Sequence, residues 1–482
     1  MRVPVPLSLE VAAARAAGSL SRLAGRGGGT TLPGKLLWKL DPAAIDRLAA
    51  RLPQGAALVS ATNGKTTTAS MAAEILRGRV RLAHNGSGAN LVSGVASTLL
   101  STRDAELGLL EVDEAALPEV ARRVRPRVVA LGNLFRDQLD RYGELEHVAD
   151  RWREMAAALP DETVLVVNAD DPQVGSLAAS GRRSVRFGVD DPRHARPELQ
   201  HAADSKWCIR CGTPYDYDAV YVGHLGDYTC PNCGHTRPGL DVVAREIELA
   251  GIDHAAFDLV LPEGTYRVRL RLPGLYNVYN ALGAAALARE LGATPEEIVT
   301  GLERFGAAFG RFERIQIGDR RLLMLLIKNP AGANEAVRTL LQGTPPRVLV
   351  VALNDAIADG QDVSWIWDVD FEPLVPGLEC LVATGTRAAE LSLRFKYGGL
   401  DERKLEVEPE LERALDRGLA LTPPGGEIVA LPTYTAMLAL RGIVAERGYV
   451  APYWAPSAKN AAHVSREELV PSLRSGDEVK PR

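Results

Sequence analysis

Val59-Ser60-Ala61-Thr62-Asn63-Gly64-Lys65-Thr66-Thr67-Thr68 is the stretch that decides the fold. Ala57-Leu58-Val59 leads into it as a buried strand, and Lys65 to Leu76 reads as a helix. A short loop between a strand and a helix N-terminus is an anion site, because free backbone N–H groups and the helix dipole both face the ligand. In that setting Gly64 lets the main chain approach phosphate. Lys65 neutralises β- and γ-phosphate oxygens, and the Thr66 hydroxyl joins a Mg²⁺ shell. The general G-x-x-x-x-G-K-[ST] pattern is incomplete, since Val59 stands at its first glycine position. The reading is a nucleotide loop with Thr62, Asn63, Gly64, Lys65, Thr66 and Thr67 as candidate contacts.

Working outward, short apolar runs alternate with helical stretches. Strands are expected at Leu109–Val112, Val128–Leu131 and Val164–Val167, with a helix from Val278 to Leu291. A second series comes at Arg347–Leu353, Leu378–Ala383 and Ile428–Leu431. Strand–helix alternation predicts an α/β fold, with mainly parallel sheets and helices on both faces. The 482 residues have room for about two to four domains. The expected division is a lead segment 1–45, a central ATP-binding domain 46–310 with an insertion at 200–240, a C-terminal Rossmann-like domain 311–455 and a tail 456–482.

Lys and Arg total 56 against 61 Asp and Glu, for a net charge of −5, which argues against a nucleic-acid binder. No run of eighteen apolar residues is present, so no membrane-spanning helix is expected. The first 36 residues are basic, with Arg2, Arg15, Arg22, Arg26 and Lys35 against Glu10 alone. Leu7–Leu23 reads as a surface helix stopped by Gly25-Arg26-Gly27-Gly28-Gly29, and a basic helix of this kind can rest on anionic lipid.

Four of the five cysteines form C-x₂-C-x₁₈-C-x₂-C: Cys208, Cys211, Cys230 and Cys233. That spacing reads as a four-thiolate zinc site, closed and therefore structural, with two disulfides or a redox pair as the alternatives. Gly212 and Gly234 come directly after the two pairs and permit their tight turns. His224 and His235 are surplus to such a site and read as surface residues. Cys380, in an apolar strand, reads as a core residue. Further carboxylates cluster after predicted strands. Glu111-Val112-Asp113-Glu114 closes one, at the sheet edge where ligands and Mg²⁺ gather. Asp355, Asp359 and Asp362 lie in the loop Asn354–Val363, ahead of Trp365 and Trp367, as a catalytic or partner-facing surface.

Taken in order, these motifs resemble the Mur ligase family, which joins carboxylates to amines with ATP. The loop is its Thr-Asn-Gly-Lys-Thr-Thr variant, with Ala61 where the family usually has Gly. The resemblance implies that Glu111 contacts Mg²⁺ and that Asn133 and Asp137, in Leu131–Asp140, lie beside the γ-phosphate. Asn168 and Asp170 fit the family's Asn-x-Asp-Asp turn. Gly274–Ala281 resembles the segment near adenine, with Asn277 retained and Tyr276 replacing the usual His. Gly310-Arg311-Phe312-Glu313 resembles the hinge whose Arg reaches ATP, and Lys328-Asn329-Pro330 stands at another nucleotide segment. The four-Cys ribbon, His84–Asn90, Arg136–Gly143 and Asp359–Asp368 are similar to one branch of the family, the ligase subunits of lipid II isoglutaminyl synthase.

That likeness implies ATP-dependent amidation of D-isoglutamate in lipid II through an acyl phosphate, with Mg²⁺ and a structural Zn²⁺. It implies a heterodimer with a GatD-like glutaminase that supplies ammonia and whose triad is completed by an Asp of this chain. Asp355 and Asp359 rank close for that role, with Asp362 third. It places the protein in the cytoplasm, in contact with the inner membrane face. A stand-alone Mur or folylpolyglutamate-type amino-acid ligase is the alternative, and a zinc-ribbon nucleotide regulator without chemistry is a third reading.

Overall fold

The computed structural model describes residues 32–41, 43–86, 88–137, 145–200, 203–306 and 312–451. The Leu7–Leu23 helix, Gln138–Gly143, Gly310-Arg311 and the tail lie outside the described residues.

The phosphate-loop strand, β1 (Ala56–Ser60), sits inside a nine-stranded sheet. In chain order the sheet takes β2 (Leu82–His84), β3 (Leu107–Glu111), β4 (Val128–Leu131), β5 (Val164–Asn168) and β6 (Ser184–Val189). A hairpin, β7 (Asp216–Val222) and β8 (Leu225–Thr229), stands apart as its own two-stranded sheet. Then come β9 (Val242–Ala250), β10 (His254–Leu261) and β11 (Gly264–Leu270), giving the order β11-β10-β9-β6-β5-β4-β1-β3-β2. The strands from β2 to β9 in that order pair in parallel, and β9, β10 and β11 pair antiparallel.

Alternate side chains of the parallel strands enter two cores. Ala57 and Val59 face the helices Lys65–Ile75 and Leu275–Glu290, whereas Ala56 and Leu58 face Val92–Ser101, Leu117–Val124 and Leu145–Ala158. β1, β3, β4 and β5 are buried at every position, as expected of parallel strands covered on both faces. The antiparallel extension was not expected. Gly264–Leu270 alternates exposed residues with intermediate and then buried ones, the period of a one-face-covered strand rather than of a buried one.

The second sheet comprises β12 (Phe312–Ile317), β13 (Arg320–Leu325), β14 (Val348–Ala352), β15 (Cys380–Thr384), β16 (Leu405–Val407) and β17 (Glu427–Pro432), ordered β12-β13-β17-β14-β15-β16. Only the β12–β13 pair is antiparallel. Its inner residues Leu323, Leu325 and Val351 join the same apolar cluster as Val59 and Val278, so the two sheets' layers meet. Cys380 is buried in β15.

Candidate functional site

Strand register sets the site. Glu111 pairs with Val59, and Leu131 pairs with Ser60, so the loop, the acidic segment and Gly132-Asn133 leave the sheet side by side. Gly64 caps the helix Lys65–Ile75 at φ +88, and a Cβ there would lie 2.0 Å from Asn280 Oδ1. Only glycine fits that turn without displacing Asn280. Ala61 is accommodated from the neighbouring strand, because a Cβ on Gly132 would come within 2.9 Å of its methyl.

Two other segments hold the loop. Asn133 clamps the Asn63 main chain at two points: Asn63 N donates to Oδ1 (2.9 Å), and Nδ2 donates to Asn63 O (3.0 Å). Thr62 turns away from the ligand side, its Oγ1 donating to Phe135 O (3.3 Å) and accepting from Phe135 N (3.0 Å). From the C-terminal half, Asn329 exchanges amide hydrogen bonds with Asn63 (3.0 and 3.2 Å). Lys328 Nζ donates to Thr62 O (2.9 Å) and pairs with Asp137.

Lys65 is buried beneath the loop. Its ammonium donates to Ala61 O (2.6 Å) and Glu114 Oε2 (2.7 Å). Burial alone pulls its pKa down, but the carboxylates of Glu114, Asp113 and Glu111 outweigh that and hold it above the ordinary lysine value. The residue is thus a fixed cation. Glu111 is 1% exposed; its Oε1 accepts from Asn90 Nδ2 (3.1 Å), while Oε2 has no partner among the described residues. An anionic oxygen buried without a donor is costly. A hard dication beside the phosphates is the partner its chemistry fits, so the residues present suit Mg²⁺.

Asn63, Gly64, Thr66, Thr67, Asn133 and Asn277 all line one cleft between the two sheets' layers, of about 1010 Å³ including its open mouth. The same cleft is lined by Leu272, Tyr276, Phe312 and Leu325. A cleft that combines phosphate-loop groups with apolar side chains suits a nucleotide. Lys65, Thr62 and Glu111 sit behind its walls. Asn277 Nδ2 is spent on Pro273 O (2.7 Å), and its Oδ1 accepts from Asn280 Nδ2 (3.1 Å). Arg311 lies outside the described residues. Asp170 is fully buried and serves as a cross-link, accepting from Tyr279 Oη (2.6 Å), Val189 N (2.9 Å) and Arg237 Nη1 (3.1 Å). Sequence reasoning missed the cleft's apolar wall and Glu335, whose buried Oε2 has no partner among the described residues. No local signal marks these, because they converge from distant segments.

The four cysteines come together, with every Sγ within 4.8 Å of the others and none disulfide-bonded. The Cys208–Cys233 and Cys211–Cys230 sulfurs are 3.5 and 3.4 Å apart. A tetrahedron with Zn–S bonds of about 2.3 Å has edges of about 3.8 Å, so the donor set fits zinc with a small expansion. Hydrogen bonds from Thr213 lower the Cys211 thiol to about 5, which favours the ligating thiolate. The expectation for the two histidines is corrected: His224 is 0% and His235 4% exposed. Both are packed beneath aromatic neighbours rather than displayed at the surface.

The three aspartates after β14 occupy three environments. Asp359 is 4% exposed, and its carboxylate accepts from Thr435 N (2.7 Å) and Thr435 Oγ1 (2.5 Å) at the start of the helix Tyr434–Glu446. Asp355 accepts from Thr386 Oγ1 (2.8 Å) and Arg387 Nη1 (3.2 Å), which hold its carboxyl below the usual range. Asp362 is exposed and accepts from Ser364 N (2.9 Å). Between the two tryptophans it is Ile366 that enters the core; Trp367 is 50% exposed, with its ring 6.0 Å from that of exposed Tyr397.

Known families and relatives share both halves of the chain. Residues 59–233 match the Mur ligase middle domain and residues 326–437 the MurT ligase C-terminal domain. The chain is 33% identical over 430 residues to the lipid II isoglutaminyl synthase (glutamine-hydrolyzing) subunit MurT of Staphylococcus aureus (strain N315), covering 88% of this chain and 94% of that one. It is 34% identical over 439 residues to the subunit of the same name from Streptococcus pneumoniae (strain ATCC BAA-255 / R6), covering 89% and 95%. MurF from Acinetobacter baumannii superposes with a TM-score of 0.62 at 22% identity, covering 84% of this chain and 79% of that one, which shows a shared fold.

Proposed function

The chain belongs to the MurT family of Mur-type ligases, and from that membership we propose that it amidates the α-carboxylate of D-isoglutamate in lipid II, using ATP and ammonia from a glutaminase partner. It is a carbon–nitrogen ligase of peptidoglycan synthesis. In the proposed reaction a carboxylate oxygen of the substrate attacks the γ-phosphorus of ATP, ADP leaves, and an acyl phosphate forms. Ammonia then attacks the acyl carbon, phosphate departs, and the nitrogen sheds a proton. Backbone N–H groups from Gly64 to Thr67 and the Lys65 ammonium stabilise the transferring charge. Glu111 and Thr66 would hold Mg²⁺, which would supply neutralisation of phosphate charge. Asn133 and Asn329 keep the loop in shape, and Arg311 is the proposed hinge contact to ATP. Zn²⁺ on Cys208, Cys211, Cys230 and Cys233 is structural.

The observation that carries this reading is one cleft lined by the phosphate loop and by apolar side chains and built jointly by the two halves of the chain. For the partner, we assign the loop after β14 as the source of the triad carboxylate. Asp359 is the best oriented of the three, since Thr435 fixes both its oxygens and a carboxylate still has acceptor capacity left. Asp355 is second and Asp362 third. Exposed Leu393 and Tyr397 on the helix Ala388–Tyr397, with exposed Trp367 beside Tyr397, offer an apolar landing for the glutaminase. No helix among the described residues is long and apolar enough to cross a membrane. We propose that lipid II is met at the inner membrane face, with the basic N-terminal segment as the contact.

The test is co-purification with the glutaminase and mass analysis of lipid II after incubation with ATP and glutamine. A product lighter by about one mass unit, as OH becomes NH₂, supports amidation. Transfer of an amino acid without any partner would favour the stand-alone ligase instead.

A further inference from the structure

The ribbon's two ends have different support. At its base, Cys208, Tyr215, Tyr228 and Cys230 form a separate small core. Tyr215 and Tyr228 lie 5.1 Å apart, and Tyr215 Oη is 2.7 Å from His235 Nδ1. So small a core cannot hold a fold alone, and a metal clasp supplies what is missing. β7 and β8 run out between the two cysteine pairs, so the clasp closes the hairpin at its root.

The tip, Gly223-His224, reaches the nucleotide loop. Gly223 adopts φ +60, and a Cβ there would lie 2.7 Å from the Phe135 ring. His224 is fully buried with its ring 4.6 Å from Phe135. Its Nε2 is 3.3 Å from Asp171 Oδ2, which also accepts from Leu134 N (2.8 Å). The tip and the Leu134-Phe135 turn thus share one buried carboxylate. Phe135 in turn makes both main-chain hydrogen bonds to Thr62 of the phosphate loop. Val222 and Leu225, flanking the tip, line the cleft itself. Tyr221 O accepts from Arg338 Nη1 (2.6 Å), which carries the contact into the C-terminal half.

We propose that the metal ribbon is part of the nucleotide site: its hairpin tip, seated by His224 on Asp171, fixes the Phe135–Thr62 contact and walls the cleft, so that metal loading sets nucleotide affinity. His224 is a positioning residue in this scheme and touches no reacting atom. The inference rests on reading the cleft as the ATP site.

The experiment measures binding of a fluorescent ADP analogue to the full chain with its partner, in excess Mg²⁺. Zinc-loaded protein is compared with protein stripped by a zinc-selective chelator, with Tm and near-ultraviolet circular dichroism recorded alongside. Stripping should weaken binding about tenfold or more, and zinc should restore it. His224→Ala in loaded protein should weaken binding about tenfold, the scale of one lost hydrogen bond to a charged group. Its zinc content should be unchanged, and the KM for ATP should rise at constant kcat. His224→Gln, which retains an N–H donor for Asp171, should recover most of the affinity. If the stripped protein unfolds, His224→Ala decides alone. Unaltered affinity in loaded His224→Ala, with or without a lower Tm, overturns the proposal and leaves the ribbon a staple. Failure of loaded wild-type protein to bind any adenine nucleotide overturns the ATP reading instead.

Discussion

The loop after β1 and the loop after β14 leave corresponding edges of two parallel sheets, yet they treat their polar groups in opposite ways. The first folds inward. Asn133 from one segment and Lys328-Asn329 from another pin it, and Lys65 is buried against Glu114. The second divides its carboxylates between inside and outside: Asp359 is locked onto Thr435, while Asp355 and Asp362 face solvent with lighter tethers. Enclosure suits a ligand that must be shielded from water, as a reactive acyl phosphate must. A loop that fixes one carboxylate on Thr435 beside two lightly tethered ones suits a surface to be completed by another protein. The carboxyl edge of a parallel sheet is therefore a position where function gathers, and the loop leaving the strand decides which function.

The sharpest way to break that contrast is to compare glutamine and ammonia as nitrogen sources. Lys65→Ala should abolish amidation with either, by about a thousandfold or more, since it removes the charge beneath the phosphates. Asp359→Asn should lose glutamine-dependent turnover by about a hundredfold and retain the ammonia-dependent rate. Asp355→Asn and Asp362→Asn serve as parallel arms, and the arm that separates the two nitrogen sources identifies the presented carboxylate. If all three variants lost both rates equally, the loop after β14 would be structural and the contrast would collapse.

Gly64→Ala tests enclosure more gently. The added methyl meets Asn280 at 2.0 Å in a left-handed backbone, so the loop must shift. Nucleotide affinity should fall about tenfold or more with the melting temperature little changed, read by titration with ADP. Equal affinity would mean that the loop tolerates a rearrangement its packing argues against.

How much of this was legible in the sequence differs between the loops for a physical reason. The β1 loop is a local motif: Gly64, Lys65 and Thr66 must be adjacent because one helix N-terminus arranges them. Of the expected contacts, Asn63, Gly64, Thr66, Thr67, Asn133 and Asn277 line the cleft, and Thr62, Lys65 and Glu111 do not. The β14 loop showed only three aspartates in a polar run. What separates them is Thr435, Thr386 and Arg387, distant in sequence and carrying no motif. His224 was misread for the same reason, since its partner Asp171 lies on another element. The antiparallel β9–β11 edge was missed because helix–strand alternation dominates the pattern and hides the period-two signal of Gly264–Leu270.

The smallest effect concerns pH, and the two edges should differ in sign. Burial lifts the Asp170 carboxyl to about 6 despite Arg237 and Tyr279, because the charged form loses its water. The folded protein then holds a proton that the unfolded chain releases near pH 4. Stability from this group is full below about pH 4 and is lost as pH rises to about 6. Asp355 is the reverse: Thr386 and Arg387 depress its pKa, so its contribution is present above about pH 4 and is lost as pH falls. Urea midpoints between pH 4 and 6 should therefore lose part of their downward slope in Asp170→Asn. Asp355→Asn should leave that window unchanged and alter only the more acidic limb. Solvent screening makes the Asp355 change the smaller of the two, because its carboxylate stays partly exposed. An unchanged slope in Asp170→Asn would mean that Arg237 keeps the buried carboxylate ionised throughout, and the enclosed edge would then be as polar in effect as the presented one.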